Sequence, residues 1–229
     1  MFEYVSLDTF AEQLASNSRL GESEIAIIYH NIKLPKRATQ FSAGYDFFSP
    51  VSITIPAGGR AIVPTGIKVN LNDIPNNNPD IGFFLGMYPR SSYGFKYGMR
   101  LMNTVGIIDQ DYYDNPSNEG HIILAITCLT ELKLTQGEAF CQGIIQPYYK
   151  IQEEEVLETR TGGLGSTTEE VKEDSTVVKE EKKSELAGNA IAADEIIEVE
   201  EVVSIDDDED EQRPIFTIDI PMKSTTVQP

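Results

Sequence analysis

Three stretches of this chain gather residue types suited to phosphoanhydride hydrolysis, which needs donors on the phosphates, a carboxylate to orient and deprotonate water, and a metal shared with the phosphate oxygens. In PRSSYGFKYG (89–98), Arg90 carries a planar fork of N–H groups that matches phosphate oxygens, and Ser91 and Ser92 follow as hydroxyl donors where the run passes from strand to helix character. In NTVGIIDQDY (103–112), Asp109 ends an apolar run and Tyr112 stands three residues on. A carboxylate and an aromatic ring can therefore border one pocket, and a hairpin here exposes main-chain donors and acceptors. Taken alone, this run fits an ordinary strand-end turn equally well. TRTGGLGST (159–167) joins one arginine, Arg160, to small and flexible residues, the composition of a phosphate-binding flap and also of a plain linker.

The elements that must position these residues are short. From residue 24 the chain runs through IAIIYHN, VSITIP, RAIVPTGIKVNL, IGFFLGMYP, HIILAITCL and EAFCQGIIQP, β-branched and aromatic runs broken by Pro, Gly and Asn. This pattern predicts an all-β barrel or sandwich over 24–168. PNNNPD (75–80) reads as a surface turn, and YDNPSNEG (113–120) as a longer one beside Asp109 and Tyr112. Ahead of this region, Leu7, Phe10 and Leu14 share one helical face behind a Ser6 cap, so residues 1–23 are expected to form a short helical extension. No Gly-rich run follows the P-loop or Rossmann pattern, no Cys/His set is spaced for zinc, and the two histidines, His30 and His121, leave little for a Ser-His-Asp hydrolase.

Charge divides the chain at residue 168. Residues 1–168 hold 18 acidic and 12 basic residues, net −6, whereas 169–229 hold 19 and 6, net −13. Phe216 is the sole aromatic residue after Tyr149, so the tail has little with which to nucleate a core and is expected to be disordered over 169–213. Its DDDEDE run (206–211) would repel nucleic-acid phosphates and anionic membranes, and neither is expected as a partner. The closing RPIFTIDIPMK (213–223) alternates apolar and polar residues and can add to a sheet edge, in this protein or in a protein partner of the tail. Cys128 and Cys141 sit in apolar runs as small buried hydrophobes, and no signal segment or membrane helix is evident, so a cytoplasmic setting is expected.

The order and content of five segments resemble the motifs of the homotrimeric dUTPases across roughly residues 25–168: SAGYDFFSP (42–50), PRSSYG, NTVGIIDQDY, GEAFCQGII (137–145) and RTGGLGST. The resemblance implies a β-barrel or jelly-roll fold and a homotrimer whose three chains share each site. It implies hydrolysis of dUTP to dUMP and pyrophosphate, which supplies dUMP and limits uracil in DNA. Asp109 becomes the residue that activates water for attack on the α-phosphorus. Tyr112 lies beneath the deoxyribose, where a ribose 2′-hydroxyl would clash, and Asn103 and the backbone near Ile107 meet the uracil edge. Arg90, Ser91, Ser92 and Gln142 bind phosphates, Arg160 reaches the γ-phosphate from a flap that includes Leu164, Gly165 and Ser166, and Asp46 braces the site from behind. Magnesium rides on the triphosphate through water, with no direct protein ligand.

Departures from the family pattern are equally concrete. Leu164 stands where an aromatic residue usually stacks on the base, which predicts a weaker lid and a lower KM in Leu164→Phe. The turn after Tyr112 is several residues longer than the family's compact one, resembles dUTPases of some low-GC Gram-positive bacteria and their phages, and is expected to lie outside the pocket. Two other readings remain open at this point. One is a dCTP deaminase of the same fold with Glu119 as proton carrier, and the other is a nucleotide-gated regulatory or scaffold protein.

Overall fold

The computed structural model describes residues 1–151 and the backbone of 217–219. The expected flap with Arg160, Leu164, Gly165 and Ser166, and the acidic stretch 169–213, lie outside the described residues. Strand β1 (Phe2–Tyr4) leads into helices α1 (Leu7–Ala15) and α2 (Glu22–His30). Then come β2 (Lys36–Arg37), β3 (Tyr45–Phe48), β4 (Ser52–Ile55), β5 (Arg60–Pro64), β6 (Ile67–Val69) and β7 (Ile81–Pro89). After α3 (Ser91–Tyr97) follow β8 (Arg100–Leu101), β9 (Gly106–Ile108), a 3-10 turn (Gln110–Tyr112), β10 (Ile123–Thr127), β11 (Leu132–Leu134), β12 (Ala139–Tyr149) and β13 (Thr217–Asp219). The all-β class expected from the alternating runs holds, with short helices added.

Among the described residues the strands form sheets in the orders β2-β3-β12-β7-β9, β5-β10-β8, β11-β4-β13 and β1-β6. The long antiparallel pair β7/β12 is the spine, and β3 lies on the other side of β12. A register shift between Ala139 and Cys141 makes a bulge in β12 at Phe140, whose carbonyl accepts the Arg90 N–H at 3.0 Å. Bulges re-aim local chain direction, and this one fixes where α3 begins.

Helix α1 starts where the Ser6 side chain accepts the Thr9 N–H at 3.2 Å, as its cap position predicts, and buries Phe10 and Leu14. The segment IAIIYHN is not a strand. It is the body of α2, whose first turn is closed by the Glu24 carboxylate accepting the Gly21 N–H at 2.9 Å. Ile25, Ile28 and Ile32 recur at helical spacing and are all buried, so tertiary packing overrides the strand preference of β-branched residues. The boundary expected at 23/24 therefore falls inside α2. Phe10, Leu14, Ile25 and Ile28 join Ile53, Val63, Leu85 and Phe140 in one core, so the N-terminal extension is built into the β fold.

Of the alternating C-terminal segment 213–223, the described residues Thr217–Asp219 lie on a sheet edge. Strand β13 pairs antiparallel with β4, Thr217 opposite Thr54 and Asp219 opposite Ser52.

Candidate active site

Two cavities hold most of the residues that the sequence singles out. The first gathers Asp46, Arg90, Ser91, Ser92 and Gln142, together with Ala38, Ser42 and Gly44. Adjacent strands set this grouping: Gln142 on β12 faces Asp46 on β3 and Tyr88 on β7, and Arg90 follows directly from β7. The Arg90 Nε lies 3.2 Å from Asp46 Oδ1, and its Nη1 donates to the Ala139 carbonyl at 3.3 Å. One edge of the guanidinium is thus anchored, while Ser91 and Ser92 are exposed beside it. The Gln142 amide donates to the Pro89 carbonyl at 3.3 Å. Gly44 is required here by close approach: a Cβ at that position would stand 2.3 Å from Gln142 Oε1.

The second cavity, of about 240 Å³, is lined by Met102, Asn103, Gly106, Ile107, Ile108, Tyr112, His121, Ile123, Leu124 and Ala125. The hairpin that carries Asn103 is held on both sides. Met102 N–H donates to the Ala125 carbonyl, Val105 N–H to the Asn103 carbonyl, and β9 pairs with β7. Thr104, at φ 64°, turns the chain at the tip. Ile107 is 52% exposed, although apolar and β-branched, which places it at the cavity rim.

Asp109 immediately follows the lining residue Ile108 and occupies the cap position of the 3-10 turn. The Tyr112 N–H donates to its carbonyl at 3.2 Å. Carboxylate and ring share this turn, but of the two residues expected to border one pocket only Tyr112 is among the lining residues, with Asp109 next to the lining residue Ile108. Tyr112 is 8% exposed, and its hydroxyl donates to the His121 carbonyl at 3.0 Å. His121 is fully buried, with Nε2 accepting the Gly66 N–H at 2.8 Å, so the ring proton sits on Nδ1. Burial pushes its pKa down to about 4, against the opposing pull of Glu119.

The long turn 113–120 does not line the cavity, as expected, but it grips a residue that does: Asn118 Nδ2 donates to the Tyr112 hydroxyl at 2.7 Å. On its other side Glu119 accepts the Ser6 N–H, the Ser6 hydroxyl and the Thr9 hydroxyl. Partial burial works against its charge, yet those bonds and the Lys68 ammonium outweigh it and hold the carboxyl at about 2. Glu119 is thus committed to the helix cap and faces away from the role of a deaminase proton carrier.

Sequence reading missed Ser42, Gly44 and His121 as lining residues. Ser42 and Gly44 lie inside SAGYDFFSP, and their signal was position within that run; His121 offered only its rarity and its place after the long turn. The two cavity linings share no residue. The predicted binding residues therefore fall into two groups, phosphate-type donors in one and a cavity with hairpin backbone, amide and ring in the other.

The dUTPase family model matches residues 30–168. Deoxyuridine 5'-triphosphate nucleotidohydrolase of Lactococcus lactis is 39% identical over 150 residues, spanning 63% of this chain and 95% of that protein. The Finegoldia magna protein of the same name is 33% identical over 146 residues, spanning 60% of this chain and 92% of its own. The crystal structure of dUTPase from Streptococcus mutans is 39% identical, covers 54% of this chain and 91% of that one, and superposes with a TM-score of 0.45.

Proposed function

Because the chain belongs to the dUTPase family, whose model spans residues 30–168, we propose a division of labour among its residues for the reaction of that family, hydrolysis of dUTP to dUMP and pyrophosphate. Asp109 takes a proton from water as the water oxygen bonds to the α-phosphorus. The bond from that phosphorus to the α,β-bridging oxygen breaks, and pyrophosphate leaves with the electron pair. Asn103 and the backbone of β9 meet the uracil edge, with Ile107 at the rim. Tyr112 lies under the deoxyribose, where a 2′-hydroxyl has no room. Arg90, Ser91, Ser92 and Gln142 hold the phosphates, and Asp46 keeps the guanidinium turned toward them. Arg160 and the flap residues Leu164, Gly165 and Ser166 close over the nucleotide.

The observation that carries this reading is the convergence of Asn103, β9 and Tyr112 on one cavity, with Asp109 on the turn between β9 and the ring. At about 240 Å³ the cavity is smaller than the roughly 300–1,000 Å³ that takes a whole drug-sized ligand, so it suits a base with its sugar rather than an entire triphosphate. The separate phosphate-type cavity supports a homotrimer in which one copy's base cavity works with a neighbouring copy's phosphate residues. Among the described residues no three His, Cys, Asp or Glu side chains converge as a metal cage. Magnesium, which keeps several waters and prefers phosphate oxygens, would ride on the triphosphate held by Arg90, Ser91, Ser92 and Gln142 and would supply charge neutralisation there. Two buried, unpaired cysteines and the lack of any membrane-crossing helix among the described residues support a reducing, cytoplasmic setting.

The test is a product panel with dUTP, dCTP, dTTP and UTP in the presence of magnesium. Pyrophosphate release confined to dUTP is the expected result. Ammonia from dCTP, or tight dUTP binding without turnover, would overturn the assignment in favour of a deaminase or a nucleotide-gated switch.

A further inference from the structure

We infer that Asn118, on the long turn after Tyr112, is a positioning residue that fixes the Tyr112 ring, and that the N-terminal helix cap, through Glu119, holds Asn118 in place. The inference rests on the reading of Tyr112 as the sugar contact. Discrimination between deoxyribose and ribose then depends on a segment that touches no part of the nucleotide.

The Tyr112 hydroxyl is held from two directions, donating to the His121 carbonyl at 3.0 Å and accepting from Asn118 Nδ2 at 2.7 Å. A ring held by packing alone can swing about its Cα–Cβ bond; a hydroxyl tied at both a donor and an acceptor cannot swing without breaking one. The amide of Asn118 is itself oriented, because its Oδ1 accepts the Gly120 N–H at 3.1 Å and Asn115 Nδ2 at 2.8 Å. Those two donors leave its NH2 group to face Tyr112.

The turn needs support from outside. Asp114 and Glu119 both adopt left-handed backbone, at φ 54° and 59°, a conformation that side-chain-bearing residues adopt at a cost. Lys68 binds Asp114 and Glu119 together, Tyr113 donates its hydroxyl to Glu3 at 2.8 Å, and Ser6 and Thr9 bind the Glu119 carboxylate. Ser6 is the residue that caps α1, so cap and carboxylate on one side and amide and ring on the other are joined through the peptide bond between Asn118 and Glu119.

Asn118→Asp tests this directly. It retains Oδ1 for Gly120 and Asn115 and removes the donor to Tyr112. The ratio of kcat/KM for dUTP over UTP is expected to fall about tenfold, the order of one lost hydrogen bond. Tyr112→Phe, which removes the hydroxyl and with it both of these bonds, is the second variant and should show at least the same fall. In the Tyr112→Phe background Asn118→Asp should then change nothing further. An undiminished ratio in Asn118→Asp, or an equal fall from Asn118→Asp when the hydroxyl is already gone, overturns the inference. Tyr112→Ala separates the two levels of the argument. If it collapses the ratio while Asn118→Asp does not, only this inference falls; if it leaves the ratio intact, the sugar-contact reading falls as well.

Discussion

Asp46 on β3 and Arg90, the residue between β7 and α3, meet at 3.2 Å, carboxylate Oδ1 to guanidinium Nε, leaving the outer face of the guanidinium open to the cavity that also holds Ser91, Ser92 and Gln142. The pair orients more than it stabilises, because Arg90 is 38% exposed and such pairs contribute little to folding.

Asp46→Asn should therefore act on substrate binding. The KM for dUTP is expected to rise about two- to fivefold, the order of a half-exposed ion pair. Steady-state pyrophosphate release measures it, and a fall in kcat with unchanged KM would contradict the bracing role.

Gly44→Ala drives a methyl group against the end of the Gln142 side chain, which is flexible and can move away. The protein should fold normally but lose the Gln142 contact to the Pro89 carbonyl and to phosphate, raising KM about fivefold. A large drop in Tm would mean that the backbone, and not Gln142, takes up the strain.

Asp109→Asn removes the proposed proton acceptor while keeping the shape of the side chain. A kcat lower by about 10²–10⁴ is expected, with dUTP affinity by calorimetry near the parent's. Near-parent turnover would move the catalytic role to another residue.

His121 stays neutral in the fold down to about pH 4, whereas in the unfolded chain it titrates near its ordinary value of 6.5. Between those values the unfolded state binds the extra proton, so stability is fully present above about pH 6.5 and is lost as pH falls toward 4. Urea unfolding from pH 7 to 4 should show a decline on the order of 3 kcal/mol that His121→Gln does not share. An identical pH profile in that variant would remove the assignment.

Phe10→Ala should cost about 3–5 kcal/mol, because the ring is fully buried in the common core. Denaturant midpoints would measure it. A loss below 1 kcal/mol would restore the view of the N-terminus as a loose appendage.

Legibility of the sequence differed by element. The Ser6 cap and the strand run from VSITIP onward were readable because local spacing determines them, whereas the Asp109–Tyr112 pair, an ordinary strand end by itself, took its meaning from the company of the other four segments. IAIIYHN misled, since three isoleucines in a row of seven residues suggest a strand; the better signal was Gly21 followed at three residues by Glu24, with Ile25, Ile28 and Ile32 on one helical stripe. The grip of Asn118 on Tyr112 was not readable at all. It depends on how an asparagine-rich turn folds on itself and on Glu119 meeting a helix 110 residues away in sequence at Thr9. Likewise, the pairing of Asp46 with Arg90 required knowing that β3 lies beside β12 and β12 beside β7.

Strand β13 is a three-residue pairing on the edge of β4, joined to the rest of the protein through residues 152–216. So short a strand binds feebly as a separate peptide, and covalent linkage makes its pairing with β4 intramolecular. A single proteolytic nick between Ile151 and Thr217 turns that contact into a bimolecular one. After dilution the cut end departs and leaves the β4 edge with unsatisfied main-chain groups, a ready template for association between molecules. Nicked preparations should therefore be more prone to aggregate than intact ones, even though their folded core is the same.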